Sequence, residues 1–187
     1  PSDSGLYIGG RFLVAGTLTS YNIALWRAPG WSIVSRNAAT IRNLSGVDGG
    51  IFAVVVQGDN LYIGGDFSTA GGVHADRVAR WESGSNSWTP LGSGITDPGA
   101  FVRSMVILGN ELYVGGIFSS AGGVASPGLA RWNTTSNTWS TVDGGMGGTT
   151  PFVFSMTKRG ADLLVTGAFS RAGSVNANRV ARWNGSA

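Results

Sequence analysis

Hydrophobic and polar positions alternate along this chain in short stretches bounded by glycine and small polar residues. VRSMVIL at 102–108 and VFSMTKR at 153–159 read as strands, and so does IFAVVVQ at 51–57. Each is followed by a glycine (Gly58, Gly109 or Gly160) at which a tight turn with positive φ costs little. A second strand follows in each case, beginning LYIGG or a close variant. A third is predicted at RVARW (77–81), GLARW (128–132) and RVARW (179–183), and a fourth opens at a tryptophan, as in SWTPLG and TWSTVD. Between the third and fourth lie ESGSNS and NTTSNT, polar stretches suited to exposed hairpin turns.

The second strand opens a longer repeat. LYIGGRFLVAG starts at Leu6, LYIGGDFSTAG at Leu61, LYVGGIFSSAG at Leu112 and LLVTGAFSRAG at Leu163, at spacings of 55, 51 and 51 residues. A tryptophan follows every copy at the same offset (Trp26, Trp81, Trp132, Trp183), and a second tryptophan follows three of them (Trp31, Trp88, Trp139). A repeat of this length made of four short strands indicates propeller blades. The expected fold is therefore all-β, a β-propeller of four-stranded antiparallel blades with about 3.5–4 blades in this chain. The blades divide as 1–50 (partial, with an insertion loop), 51–98, 99–148 and 149–187 (partial). The glycine doublets are expected to let neighbouring backbones approach closely. Phe67, Phe118 and Phe169, with the first tryptophans, are expected to fill the space between blades.

The glycine doublet after a strand of large apolar residues, the spaced aromatic, the Thr/Ser–Asn turn and the second tryptophan resemble the kelch-type propeller family. RWNTTSNTW at 131–139 is the nearest local match. The F-x-x-A-G-G tail and the Arg–Trp pair depart from the usual pattern. In those features the chain is similar to repeats of large secreted or surface-attached proteins of bacteria and eukaryotes, including fungal cortical-marker proteins. The resemblance spans the whole chain and implies a fold; kelch-like propellers host enzymes, adhesins and scaffolds alike.

Composition narrows the classes. Charged residues are 12% of the chain, about half the ordinary share, while 31 glycines without a three-residue period and only 6 prolines exclude collagen. A net charge of +3 with scattered arginines gives no basic stripe for nucleic acid. The longest apolar run, IFAVVV, is far too short to span a membrane as a helix. Without cysteine there is neither a disulfide nor a thiolate metal site.

Few residues offer chemistry. His74 is the one histidine and Asp76 lies near it, but the equivalents of His74 in other copies (Ala125 or Ser126, and Asn176) make the histidine a loop residue rather than a catalytic one. The acidic residues are dispersed, so no metal set is expected. The glycine-rich run at 144–148 lacks the lysine and helix of a phosphate loop. Arg80, Arg131 and Arg182 each precede a tryptophan; their expected role is structural, with the guanidinium on backbone carbonyls or stacked on an aromatic.

Positions that differ between copies are the candidates for partner contact, because packing accounts for the fixed ones. The residue between the glycines and the phenylalanine is Arg11, Asp66, Ile117 or Ala168. The loops that follow carry Tyr21 in the first copy and His74 and Asp76 in the second. The stretch from Trp31 to Ile51 is longer than its counterparts, and its insertion at 32–46, with Arg36 and Arg42, is expected to form a specialised contact. Candidate loop-face residues are thus Arg11, Tyr21, Arg36, Arg42, Asp66, His74 and Asp76. Asn43, Asn133 and Asn184 open glycosylation sequons, with Asn133 placed best, at a hairpin tip.

The function expected is a non-enzymatic module, secreted or at the cell surface, for adhesion or structural assembly through protein or glycan contacts. A lectin-like ligand-binding propeller and a fragment of a propeller enzyme are the alternatives. No cofactor, nucleic acid or membrane insertion is expected. The first copy has no strand before its LYIGG segment and the last has none after its RVARW segment. Further blades or other copies of the protein are therefore expected to cover the exposed blade faces.

Overall fold

The computed structural model describes residues 5–34 and 46–186. Among these there is no helix, and every multi-stranded sheet is antiparallel. The chain divides into two compact units, residues 1–90 and 91–187, each built from two repeats.

In unit 1 the first repeat runs through β1 (Leu6–Gly9), the short ribbon β2 (Val14–Ala15) and β3 (Leu18–Thr19), β4 (Ile23–Arg27) and β5 (Gly30–Ile33). The second runs through β6 (Ile51–Gln57), β7 (Asn60–Gly65), the ribbon β8 (Thr69–Ala70) and β9 (Val73–His74), β10 (Val78–Glu82) and β11 (Ser87–Pro90). The first sheet has the order β1-β4-β5, and the second is the up-and-down meander β6-β7-β10-β11. The core of this unit gathers Ile23 and Val34 from the first repeat with Leu61, Ile63, Phe67 and Trp81 from the second.

Unit 2 repeats the scheme. β12 (Phe101–Leu108), β13 (Glu111–Ile117), the ribbon β14 (Ser120–Ala121) and β15 (Val124–Ala125), β16 (Leu129–Asn133) and β17 (Thr138–Thr141) form a complete meander, β12-β13-β16-β17. The last repeat has β18 (Met146–Gly147), β19 (Phe152–Arg159), β20 (Asp162–Ala168), β21 (Arg171–Ala172), β22 (Val175–Asn176) and β23 (Val180–Trp183), in sheets β19-β20-β23 and β18-β21-β22. Its core joins Leu129, Val142 and Met146 to Val153, Leu163 and Phe169.

The strands predicted from the alternation are present to within a residue or two. The short ribbons after each phenylalanine were not foreseen. They arise because the A-G-G stretch turns back on itself, with Gly71 and Gly122 at φ of 55° and 60°.

The glycine doublet has two separate causes. A Cβ on the second glycine would collide with a carbonyl of its own sheet, at 1.9 Å from Gly50 O for Gly65, 2.1 Å from Phe101 O for Gly116 and 2.0 Å from Phe152 O for Gly167. That approach accompanies a bulge in the opposite strand, where Phe52, Arg103 and Phe154 are each one residue too many for the pairing. The first glycine instead admits the neighbouring sheet within its unit. A Cβ on Gly9 would lie 2.5 Å from Ile51 Cγ2, and one on Gly115 would lie 2.6 Å from Val153 Cγ1. In the last repeat this position is Thr166, and it is exposed.

Candidate binding surface

The structure brings together some of the variable residues. Arg11 and Asp66, equivalent positions in successive repeats of unit 1, form an ion pair with each other. The other Asp66 oxygen accepts the Gly50 amide at 2.6 Å, so the carboxylate also pins the entry to β6. The Arg11 guanidinium lies 5.9 Å from the centre of the Phe52 ring, the bulged residue of β6. Two residues that sequence reasoning read as candidates for external contact thus satisfy one another.

His74 and Asp76 form a second group. His74 Nε2 lies 3.2 Å from Asp76 Oδ2, and Arg77 holds Asp76 Oδ1 at 2.7 Å. The histidine side chain is exposed and the aspartate largely covered. Tyr21 contributes through its backbone: its carbonyl accepts the Val47 amide at 3.1 Å, tying the start of β4 to the segment before β6. Arg36, Arg42 and Asn43, with most of the predicted insertion contact, lie outside the described residues. Among the described residues no group of three or more histidines, aspartates and glutamates is placed to hold a metal ion.

The sequon asparagines are engaged locally. Asn133 donates through Nδ2 to Glu111 Oε1 at 2.7 Å, and its Oδ1 accepts the amides of Thr135 and Ser136. Its amide nitrogen, the atom a glycan would take, therefore ties the end of β16 to β13, while its oxygen caps the β16–β17 turn. Asn184 is exposed, with Oδ1 accepting from the Ser186 amide and hydroxyl.

The repeated arginines have structural partners on adjacent strands. Arg131 donates to Ser140 Oγ across the β16–β17 pairing at 2.9 Å. Arg182 reaches Asp162 at 3.5 Å, and Arg80 lies against the Tyr62 phenol. Burial pushes that phenol up, against the opposing pull of Arg80. In each case a side chain of an adjacent strand, an aromatic one for Arg80, meets the guanidinium.

Two aspartates were missed. Asp48 accepts the Ser68 and Thr69 amides at 2.8 Å and the Ser68 hydroxyl at 2.6 Å. Asp97 does the same for Ser119 and Ser120. Burial pulls both carboxyls up, but the serine and backbone hydrogen bonds prevail and hold them below the ordinary carboxylate value. A signal for them existed in DGGIF at 48–52 and DPGAF at 97–101, an aspartate and glycine just before the bulged strand.

The class these features define is an all-β chain of repeated antiparallel meanders whose repeated residues are spent on packing. No helix among the described residues is long and apolar enough to cross a membrane. No family model matches the sequence. Over 116 aligned positions the chain is 23% identical to the polarized growth protein rax2 of Schizosaccharomyces pombe; the match takes in 53% of this chain and 10% of that protein. Among solved structures it is similar to the computationally designed Ika4 protein (TM-score 0.47, 14% identity, 86% of this chain and 78% of that one). It is also similar to the extracellular domain of a putative one-component system from B. thetaiotaomicron (TM-score 0.48, 13% identity, 89% of this chain and 20% of that one). Structural likenesses that slight say nothing of what this chain does.

Proposed function

We propose that the chain is a kelch-like propeller module, secreted or at the cell surface, that serves adhesion or structural assembly and carries out no catalysis. The observation that carries this reading is the uncovered apolar surface at the first and last sheets. Leu6 is 60% exposed, whereas its equivalents Leu61, Leu112 and Leu163 are at most 1% exposed. Val180 is 63% exposed, against 0% for its equivalents Ile23, Val78 and Leu129. Positions that pack one repeat on the next are thus bare at both, apolar surface of the kind that docks against other protein. The up-and-down order of the two complete sheets supports the blade reading.

Sedimentation velocity over a range of concentrations tests the reading. The protein is expected to associate, and Leu6→Glu with Val180→Glu is expected to return it to a monomer. A monomer at every concentration would overturn assembly through these faces. Saturable binding on a glycan array would favour the lectin-like alternative, in which the Arg11–Asp66 pair beside Phe52 is the first place to look.

A further inference from the structure

Unit 2 holds a cleft of about 310 Å³ where the third repeat meets the lead-in to β19. It is built from a feature that the second repeat lacks. The carbonyls of three equivalent glycines, Gly46, Gly94 and Gly145, accept the amide of the ribbon glycine in their repeats, Gly71, Gly122 and Gly173. Ile51, Val102 and Val153 are likewise equivalent, each directly before the bulge of its strand. From glycine to strand is five steps in the second repeat (46 to 51) but eight in the third and fourth (94 to 102, 145 to 153). The two longer lead-ins, ITDPGAF at 95–101 and MGGTTPF at 146–152, each carry a proline, and both line the cleft.

The chemistry of the cleft is one-sided. Ile117, Pro98, Pro127 and Pro151 supply apolar wall, and the fixed φ of proline sets much of that wall before any ligand arrives. Thr149 and Thr150 bring exposed hydroxyls from one loop, and Asp97 brings a carboxylate from the other. No lysine, arginine or histidine among the described residues lines it. Asp97 Oδ2 takes the Ser119 amide and hydroxyl and the Ser120 amide, whereas Oδ1 takes the Ser120 hydroxyl at 3.2 Å. A carboxylate offers about four acceptor positions, so Oδ1 keeps one free. The same bonds hold the carboxyl below its ordinary value, hence charged at neutral pH. Unit 1 shows how the chain answers such a charge elsewhere. Arg11, the equivalent of Ile117, pairs with Asp66. With isoleucine at 117, the third repeat offers no cation from that position.

We infer that this cleft takes a primary alkylammonium, the end of a lysine side chain on a partner protein. The methylene stem lies along Ile117 and the prolines, where its apolar surface is covered. The ammonium carries three donors, one for Asp97 Oδ1 and the others for the hydroxyls of Thr149 and Thr150. Acceptors spread over two loops suit a rotatable ammonium better than the planar fork of a guanidinium. The uncompensated carboxylate turns away phosphate and carboxylate ligands by the same charge. The inference goes beyond the assembly reading. It depends neither on the repeats forming a propeller nor on the apolar faces of the first and last sheets.

The probe is Nα-acetyl-lysine methylamide, titrated into the whole protein while the amide resonances of Ser119, Ser120 and Thr150 are followed. Saturable shifts at millimolar probe are expected. The Nε-acetylated probe has the same stem without the charge and should bind at least about tenfold more weakly. Asp97→Asn should weaken the lysine probe to a similar degree. Thr150→Lys, a change at an exposed position, supplies a tethered ammonium and should abolish binding with the fold intact; it decides the matter if Asp97→Asn unfolds. Shifts that never saturate, equal binding of the acetylated probe, or undiminished binding in Thr150→Lys each overturns the inference. Tighter binding of 1,4-diaminobutane than of the lysine probe overturns the protein as the source of the amine. None of these outcomes alters the sedimentation result, so the two readings fail separately.

Discussion

The third and fourth repeats share nearly the same pattern, yet one makes a four-stranded sheet and the other a three-stranded one. Their backbones agree closely. β12–β13 and β19–β20 carry the bulge at the same step, and Gly116 and Gly167 make the same approach to the carbonyl opposite. Their burial does not agree. Leu129 is sealed and Val180 is bare. Arg131 finds Ser140 on β17, whereas Arg182, with no such strand beside it, turns to Asp162 on β20. Local sequence therefore dictates the strand path and the bulge, while neighbouring strands and sheets dictate what each side chain is worth.

The largest contrast should appear at the paired tryptophans. Trp132 is 5% exposed and packs edge-on against Trp139, with ring centres 5.3 Å apart. Trp132→Ala is expected to cost about 3–5 kcal/mol in urea unfolding, and Trp183→Ala, half-buried and without a partner ring, roughly half of that. Equal losses would mean that the closing strand adds nothing to the worth of the indole.

A smaller and opposite pair of effects is expected one turn earlier. Asn22, Arg77, Gly128 and Arg179 occupy one equivalent position with φ of 66°, 64°, 68° and 69°, and in each the amide donates to the repeat's phenylalanine carbonyl. Glycine relieves the left-handed penalty of about 1–2 kcal/mol at a cost in unfolded-chain entropy of about 0.5–1 kcal/mol. Arg179→Gly at this exposed site should then raise stability by about 0.5–1 kcal/mol, and Gly128→Ala should lower it by about the same 0.5–1 kcal/mol. Thermal melts of the two variants check the signs; a destabilising Arg179→Gly would show that the side chain has a use the contacts do not reveal.

The smallest difference lies in acid. The Ser119–Ser120 turn is held by the Asp97 carboxylate, whereas the equivalent Ser170 amide is held by the Gly147 carbonyl, which does not titrate. Because the folded carboxyl of Asp97 sits below its unfolded value, its contribution is complete above the ordinary carboxylate value of about 3.9 and is lost as pH falls through the lower folded value. Stability should therefore decline in that acid window, less steeply in Asp97→Asn, while Ser170→Ala should leave the slope as it was. An unchanged slope in Asp97→Asn would assign the acid response to Asp48, which is held down in the same way.

By itself the sequence determined the number of repeats, the strands and the residues of the core. Alternation and the recurring Leu, Phe and Trp positions are local properties, and Leu61, Phe67 and Trp81 are buried as the pattern predicts. Other features had no such signature. Arg11 and Asp66 differ between copies, as contact residues do, and only the packing of one repeat on the next shows that they answer each other. Asn133 carries a sequon, and only the folded hairpin shows its amide held by Glu111. The seat of the second tryptophan is the plainest case. Trp88 follows Trp81 at short range and is legible in the chain, but that its indole closes on Gly71 is set by contacts that no local pattern carries, a property of the tertiary structure alone.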